Sequence, residues 1–378
     1  MIPYGRQSIS GDDVAAVTAT LESDWLTTGP KVDEFEHNVA AYVGTRHALA
    51  VCNGTAALHC AAVAAGIGPG DEVIVPAITF VATANAVVFQ NGTPVFADVE
   101  RDTLLIDPAS VESKITSKTK AIIAVDYAGQ PCDYAALKTI ANRHNLILVA
   151  DASHSLGASS EFGKVGQLAD LTTFSFHPVK PITTGEGGMI VTDDESLWRA
   201  MRRFRNHGID NDSRQREAAG QWFYEMVSLG YNYRISDILC ALGISQLNKL
   251  DGWIKRRQQI AAQYDNAFAA VAGVTPLATR AGVSHGYHLY AIRVDVSQFG
   301  KTRDELFTAL RQRDIGVNVH YLPLNLHRFY RERFGAHAGQ CPVAEQVFTE
   351  LLSLPIYPGM SDVQVEEVIT AVKDEAVS

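Results

Sequence analysis

Apolar and polar positions change their period several times along this chain. Between Ser10 and Gly44 the spacing is helical: Val32, Phe35, Val39, Tyr42 and Val43 fall on one face, and Gly44 suits a helix end. That predicts helix, loop, helix. From residue 47 onward, short unbroken apolar runs alternate with longer periodic ones. HALAVCN (47–53), EVIVPA (72–77), TPVFADV (93–99), AIIAVDY (121–127) and LILVADAS (146–153) read as strands. GTAALHCAAVAAGI (54–67), TFVATANAVVFQNG (79–92) and YAALKTIANRHN (134–145) read as helices. Continuous apolar strands between helices imply an α/β fold with a mostly parallel sheet covered on both faces.

The pattern changes near residue 236. Ile238–Val271 predicts long helical material broken around Leu250–Trp253, followed by a strand at Leu289–Val296. A capping box, Thr302-x-x-Glu305, opens the next helix; a strand is expected at GVNVHYL (316–322), and Ser361-x-x-Gln364 opens a last helix. The expected organisation is a large domain over 1–249 and a smaller α+β domain over 250–378.

Composition narrows the functional classes. Charged residues make up 20% of the 378 and the net charge is -10, which argues against nonspecific nucleic-acid binding. An anionic ligand would need local donors. Cys52, Cys60, Cys132, Cys240 and Cys341 form no CxxC pair and show no zinc spacing, so they read as buried thiols in a reducing compartment, with no metal site. The opening MIPYGRQSISGDD has no apolar signal core, and the most apolar stretch, Ala48–Gly68, is too interrupted to span a bilayer. A cytoplasmic protein without membrane partners is expected.

Candidate chemistry lies in three places. The turn Asn53-Gly54-Thr55-Ala56 joins a strand to a helix, whose first N–H groups can receive an anion; such turns are also common without a ligand. Asp151 ends the apolar run LILVAD, at the sheet edge where α/β proteins bind ligands, although a turn cap is the competing reading. His154 follows three residues later. The stretch FSFHPVKPITTGEGG (174–188) fixes Lys180 between Pro178 and Pro181, with Ser175 nearby. A desolvated lysine has a free amine at moderate pH and can form a Schiff base. Phosphate donors, a carboxylate and a buried lysine together match pyridoxal phosphate, which needs an amine anchor and an acidic partner for its pyridine nitrogen.

With these motifs the chain resembles the sugar-nucleotide aminotransferases of the DegT/DnrJ/ArnB family, of fold type I. DWLTTGP (24–30), NGTAALH (53–59), VPAITFVATAN (75–85), DASHSLGA (151–158), FSFHPVKPITTGEGG, GYNYRISD (230–237) and NVHYLP (318–323) carry the likeness nearly end to end. The resemblance implies pyridoxal phosphate as cofactor and Lys180 as the Schiff-base lysine. It puts Asp151 at the pyridine nitrogen, His154 near the cofactor's O3′ and Phe80 on the ring face. Gly54, Thr55, Ala56 and Ser175 would meet the phosphate. Asn232 would reach the phosphate in a neighbouring subunit, which implies a homodimer with composite sites. Tyr4, Trp25, Leu26, Thr27, His320 and Tyr321 would line the nucleotide-sugar pocket.

FVATAN, DYAG (126–129) and KPITT-x-EGG are most similar to members that aminate the C4 ketone of a UDP-linked 4-keto-6-deoxy-N-acetyl hexose on the route to pseudaminic acid, with L-glutamate as donor. Leu322 departs from the lysine of such a relative. A C3 ketone, a dTDP or GDP carrier, or a 4-keto pentose are the alternatives within this chemistry. A nucleotide-sugar-binding protein without turnover is the alternative outside it.

Overall fold

Helices α1 (Gly11–Leu21) and α2 (Pro30–Val43) precede the sheet in the computed structural model, which describes residues 1–210, 220 and 222–377. Pro30 opens α2 where no N–H is required, and Gly44 closes it at φ +83°. The predicted alternation follows: β1 (His47–Val51), α3 (Gly54–Ala64), β2 (Glu72–Pro76), α4 (Val81–Phe89), β3 (Thr93–Ala97), β4 (Thr119–Val125) and β5 (Ile147–Asp151). A short ribbon of β6 (Ser159–Ser160) and β7 (Gly163–Lys164) leads to β8 (Leu171–Ser175) and β9 (Gly188–Thr192).

These strands, the ribbon apart, form one seven-stranded sheet in the order β1-β9-β8-β5-β4-β2-β3. Only β9 is antiparallel to its neighbours, and the rest share one direction. The C-terminal ends of β1, β4, β5 and β8 therefore meet at one edge, where ligands of open α/β sheets bind. Leu49, Ile74, Ile123, Val149 and Phe174 on these strands are buried, as strands covered on both faces require.

Helices Asp237–Leu247 and Leu250–Phe268 realise the long helical pattern, with the break at 248–249. A second sheet, β10 (Val274–Pro276), β11 (Tyr290–Val294) and β12 (Leu351–Leu354), is antiparallel throughout. The capping box at Thr302 and Glu305 is present, and Ser361 and Gln364 exchange reciprocal bonds before the last helix. The strand expected at 316–322 does not form. Only single bridges occur there, Asn318 with Ser353 within the stretch and Ile315 with Ile2 just before it. GVNVHYL carries a strand-like composition but crosses between the chain's opening residues and β12, with no neighbour along its length.

A second apolar cluster gathers Ile260, Tyr264, Phe268, Ile292, Leu306, Leu310, Leu352 and Val368, distinct from the main core. Ile2 joins it from the other end of the sequence. Its N–H donates to the Asp314 carbonyl at 2.8 Å, and the Ile356 N–H donates to the Tyr4 carbonyl at 3.1 Å. All five cysteines are free, and all but Cys52 are buried. Among the described residues no helix is long and apolar enough to cross a membrane.

Candidate active site

At the shared strand edge lies a cavity of about 580 Å³. Its floor is built by the sheet. Gly188, on β9, stands opposite Val51 on one side and Ser175 on the other. A Cβ there would lie 2.5 Å from the Asn53 carbonyl oxygen, so the missing side chain lets the turn after β1 close over the sheet edge. Asn53 caps α3 by accepting the Ala56 N–H at 2.8 Å. The N–H groups of Gly54 and Thr55 and the hydroxyls of Thr55 and Ser175 have no hydrogen-bond partner among the described residues. Gly54 and Ser175 are packed closely enough that a Cβ on Gly54 would lie 2.8 Å from the Ser175 Cβ. These donors converge at a helix N-terminus, an arrangement suited to a phosphate.

Asp151 ends β5 and is buried. Its carboxylate accepts from the Thr83 hydroxyl at 2.7 Å and from the Ser153 hydroxyl at 2.6 Å. Because the Thr83 proton goes to Asp151, the Thr79 hydroxyl, 2.8 Å away, must donate to Thr83. Thr83 on α4 and Thr79, two residues before that helix begins, thus buttress the carboxylate. Lys180 follows a turn in which its N–H donates to the His177 carbonyl at 2.9 Å. Part of the residue faces the open cavity, yet its surroundings exclude enough water to lower the amine's pKa to about 8; the Asp151 carboxylate opposes that shift.

The opposite wall comes from segments outside the main sheet. The His320 ring accepts from the Asn318 amide at 3.3 Å and is 2.9 Å from the Ser353 hydroxyl. The Tyr127 hydroxyl donates to the His320 carbonyl. Burial, reinforced by Lys180, pushes the His320 imidazole down to about 4. The Tyr321 hydroxyl is 3.4 Å from His154 Nε2, and its ring lies 6.0 Å from that of Phe80. The Tyr4 ring lies 5.6 Å from His320.

Ten of the residues expected from the sequence line this cavity: Tyr4, Gly54, Thr55, Phe80, Asp151, His154, Ser175, Lys180, His320 and Tyr321. Five do not. The Ala56 N–H is already taken by Asn53. Trp25 lines a separate cavity of about 380 Å³ against α1 and the helix Asp237–Leu247. Leu26 accepts the Asp237 N–H, and Thr27 bridges Ser236. Asn232 is exposed and pairs with Asn206. The sequence reading missed Thr79, Thr83, Ser153, His288 and Asn318. Only Thr79 and Thr83 left a signal, four residues apart beside the start of a helix and so able to meet on one face.

A lysine amine, a braced carboxylate and unfilled donors at a helix start suit pyridoxal phosphate, and this is a fold type I arrangement. The chain belongs to the DegT/DnrJ/EryC1/StrS aminotransferase family, whose model matches residues 7–373. It is a sugar aminotransferase dependent on pyridoxal phosphate. It is 43% identical over 376 residues to the spore coat polysaccharide biosynthesis protein SpsC of Bacillus subtilis, covering 99% of this chain and 96% of that protein. Among solved structures, the putative sugar aminotransferase Spr1654 of Streptococcus pneumoniae superposes with a TM-score of 0.94 at 32% identity, over 100% of this chain and 99% of that one. Helicobacter pylori PseC, an aminotransferase of pseudaminic acid biosynthesis, superposes at 0.92 and 32% identity, over 99% and 98% of the two chains.

Proposed function

We propose that this enzyme transfers an amino group from L-glutamate to the C4 ketone of a UDP-linked 4-keto-6-deoxy-N-acetyl hexose, in a pseudaminic-acid-type pathway in the cytoplasm. The observation that carries the transaminase part is the lowered amine of Lys180 above the sheet edge that also bears Asp151. The likeness to PseC, together with FVATAN and DYAG, supports the choice of sugar.

Pyridoxal phosphate, when bound, supplies the carbonyl that takes up the amino group and the ring that delocalises the electrons. Lys180 would anchor the cofactor through its amine and, once released, would take up and return the proton at its Nζ. Asp151, braced by Thr83 and Ser153, would keep a proton on the ring nitrogen. Gly54, Thr55 and Ser175 bind the phosphate, with Ala56 as part of the same turn. Phe80 would cover the ring face, and His154 would donate near O3′. Tyr4, His320 and Tyr321 hold the sugar nucleotide. The division of the chain near residue 250 belongs to the same reading: the phosphate-binding turn, Asp151 and Lys180 lie before it, and His320 and Tyr321 after it.

A homodimer completes the site. No arginine lines the cavity among the described residues, so a diphosphate would need further donors, and a second subunit is the natural source. Asn232, Trp25, Leu26 and Thr27 would act from that side. Exposed Trp222, Phe223, Met226 and Leu229 flank Asn232 in sequence, an apolar patch that a second copy would cover. Mixing Lys180→Ala chains with Asn232→Ala chains should restore activity, because one site of each heterodimer then carries neither lesion. Demonstrated exchange without recovery, despite a damaging Asn232→Ala, would return Asn232 to its own subunit's site.

SpsC, at 43% identity, supports a second reading in which the chemistry is the same and the sugar nucleotide differs. Loading the enzyme with pyridoxamine phosphate and offering a panel of keto-sugar nucleotides separates the two. Turnover confined to a C3 ketone, a dTDP or GDP sugar or a pentose would displace the first.

A further inference from the structure

His288 lines the cavity beside His154, and the roles above leave it unused. The two ring centroids are 4.3 Å apart at 42°. Both residues are buried, and the Nδ1 atom of each has no hydrogen-bond partner. The backbone around His288 is clamped. Its neighbours bind the loop after β4: the Gly286 N–H donates to the Gly129 carbonyl at 2.9 Å and the Leu289 N–H to the Ala128 carbonyl at 3.2 Å. Gly129, at φ +105°, would carry a Cβ 2.9 Å from the His154 carbonyl oxygen and 3.0 Å from the His288 nitrogen, so only glycine lets these segments meet. Behind them the buried Arg257 guanidinium donates to the carbonyls of Tyr287, His288 and Ile356, at 3.1, 3.4 and 2.9 Å.

We propose that His288 is a positioning residue for the reaction at Lys180: its ring, carried on a backbone that Arg257 ties down, holds the His154 imidazole in one orientation with Nδ1 dry and leaves Nε2 as the nitrogen that works in the cavity. The inference rests on the reading that puts His154 beside the cofactor. A proton on Nδ1 of His154 would be a buried donor with no acceptor, so the proton of the neutral ring sits on Nε2. That nitrogen faces the Tyr321 hydroxyl at 3.4 Å. A second proton is disfavoured for the same reason and by burial, with Lys180 and His320 facing His154 and with His154, Lys180, Arg257 and His320 facing His288. The pair is thus an uncharged wall that donates from a fixed place.

The test uses the apoenzyme first. Imidazole ¹⁵N shifts report the tautomer of His154 without cofactor or substrate. The wild type and His288→Phe, which retains a flat ring, should show the Nε2–H form alone. His288→Ala should let water reach Nδ1 and give a mixture that protonates at higher pH. The glutamate half-reaction then supplies a double-mutant cycle. His288→Ala should slow it by about 10-fold or more in the presence of His154 and have little effect when His154→Ala is already present. His288→Phe should keep most of the native rate. Additive losses, an unchanged tautomer in His288→Ala, or a folded His288→Phe as damaged as His288→Ala would each overturn the proposal. None of these readings depends on which sugar is the acceptor, so failure of the sugar assignment shows separately in the substrate panel.

Discussion

The floor of the cavity and its outer wall are built by different means. On the floor, Asp151, Ser175 and the start of α3 sit at strand ends, and a regular ladder fixes their positions to one another. On the wall, His320 and Tyr321 lie in a segment that forms no strand and is tied by individual side-chain bonds, to Tyr127, Ser353 and His154. A ladder distributes strain over many bonds, whereas a wall held by single contacts moves when one is lost. The floor is therefore expected to carry the chemistry common to both half-reactions, and the wall the discrimination between acceptors.

The sharpest way to break this contrast is at the floor. Lys180→Ala should leave the fold intact and reduce both half-reactions by about 10⁴-fold, since the amine that would anchor the cofactor and carry the proton is gone. Retention of a few per cent of activity without added amine would remove Lys180 from its role. Asp151→Asn should cost about 10²-fold in both halves. Thr83→Val removes one hydrogen bond to that charge, worth roughly 1.5–3 kcal/mol, and should produce the same pattern at a smaller amplitude. Near-normal turnover in Asp151→Asn would mean that another group serves the ring nitrogen.

The wall should respond unevenly. His320→Ala is expected to raise KM for the sugar nucleotide by about 10- to 150-fold while sparing the glutamate half-reaction, measured in single turnovers. Equal damage to both halves would move His320 to the floor's account and erase the contrast. Tyr127→Phe, which frees the His320 carbonyl, should give the same signature with a loss of about 1 kcal/mol.

The smallest effect is one of pH. Lys180 has its pKa lowered from 10.5 to about 8 in the folded chain, so between those values the unfolded chain binds more protons and stability rises with pH. Below about 8 both states hold the proton and the cost of burying the charge is present in full. Lys180→Met should accordingly raise the melting temperature of the apoenzyme at pH 7, and the gain should shrink as pH climbs from about 8 to 10.5. A gain that grows with pH would contradict a lowered amine.

The same contrast explains what could be read from the sequence. Asp151 was legible because five apolar residues run straight into a carboxylate, and Lys180 because two prolines frame it. Local pattern encodes a strand and its end. The partners of the wall are distant: Tyr127 and His320 are 193 residues apart, and His154 and Tyr321 are 167 apart. No periodicity announces such pairs, and GVNVHYL misled because its composition is that of a strand while its neighbours are not. His288 was hidden for another reason. It stands immediately before the expected strand Leu289–Val296, and only the close approach at Gly129 brings it to His154.

The seam between Ile2–Tyr4 and residues 314–316 and 356 has a consequence for the order of assembly. During synthesis Tyr4 emerges more than 300 residues before Ile356, whose N–H binds its carbonyl, so the backbone that holds it does not yet exist. The sheet floor can form as β1 to β9 emerge, but the cavity has no finished wall until the last strands arrive. A nascent chain that has already brought Asp151, Ser175 and Lys180 to the sheet edge thus has no enclosed cavity until residues 314–316 and 356 arrive.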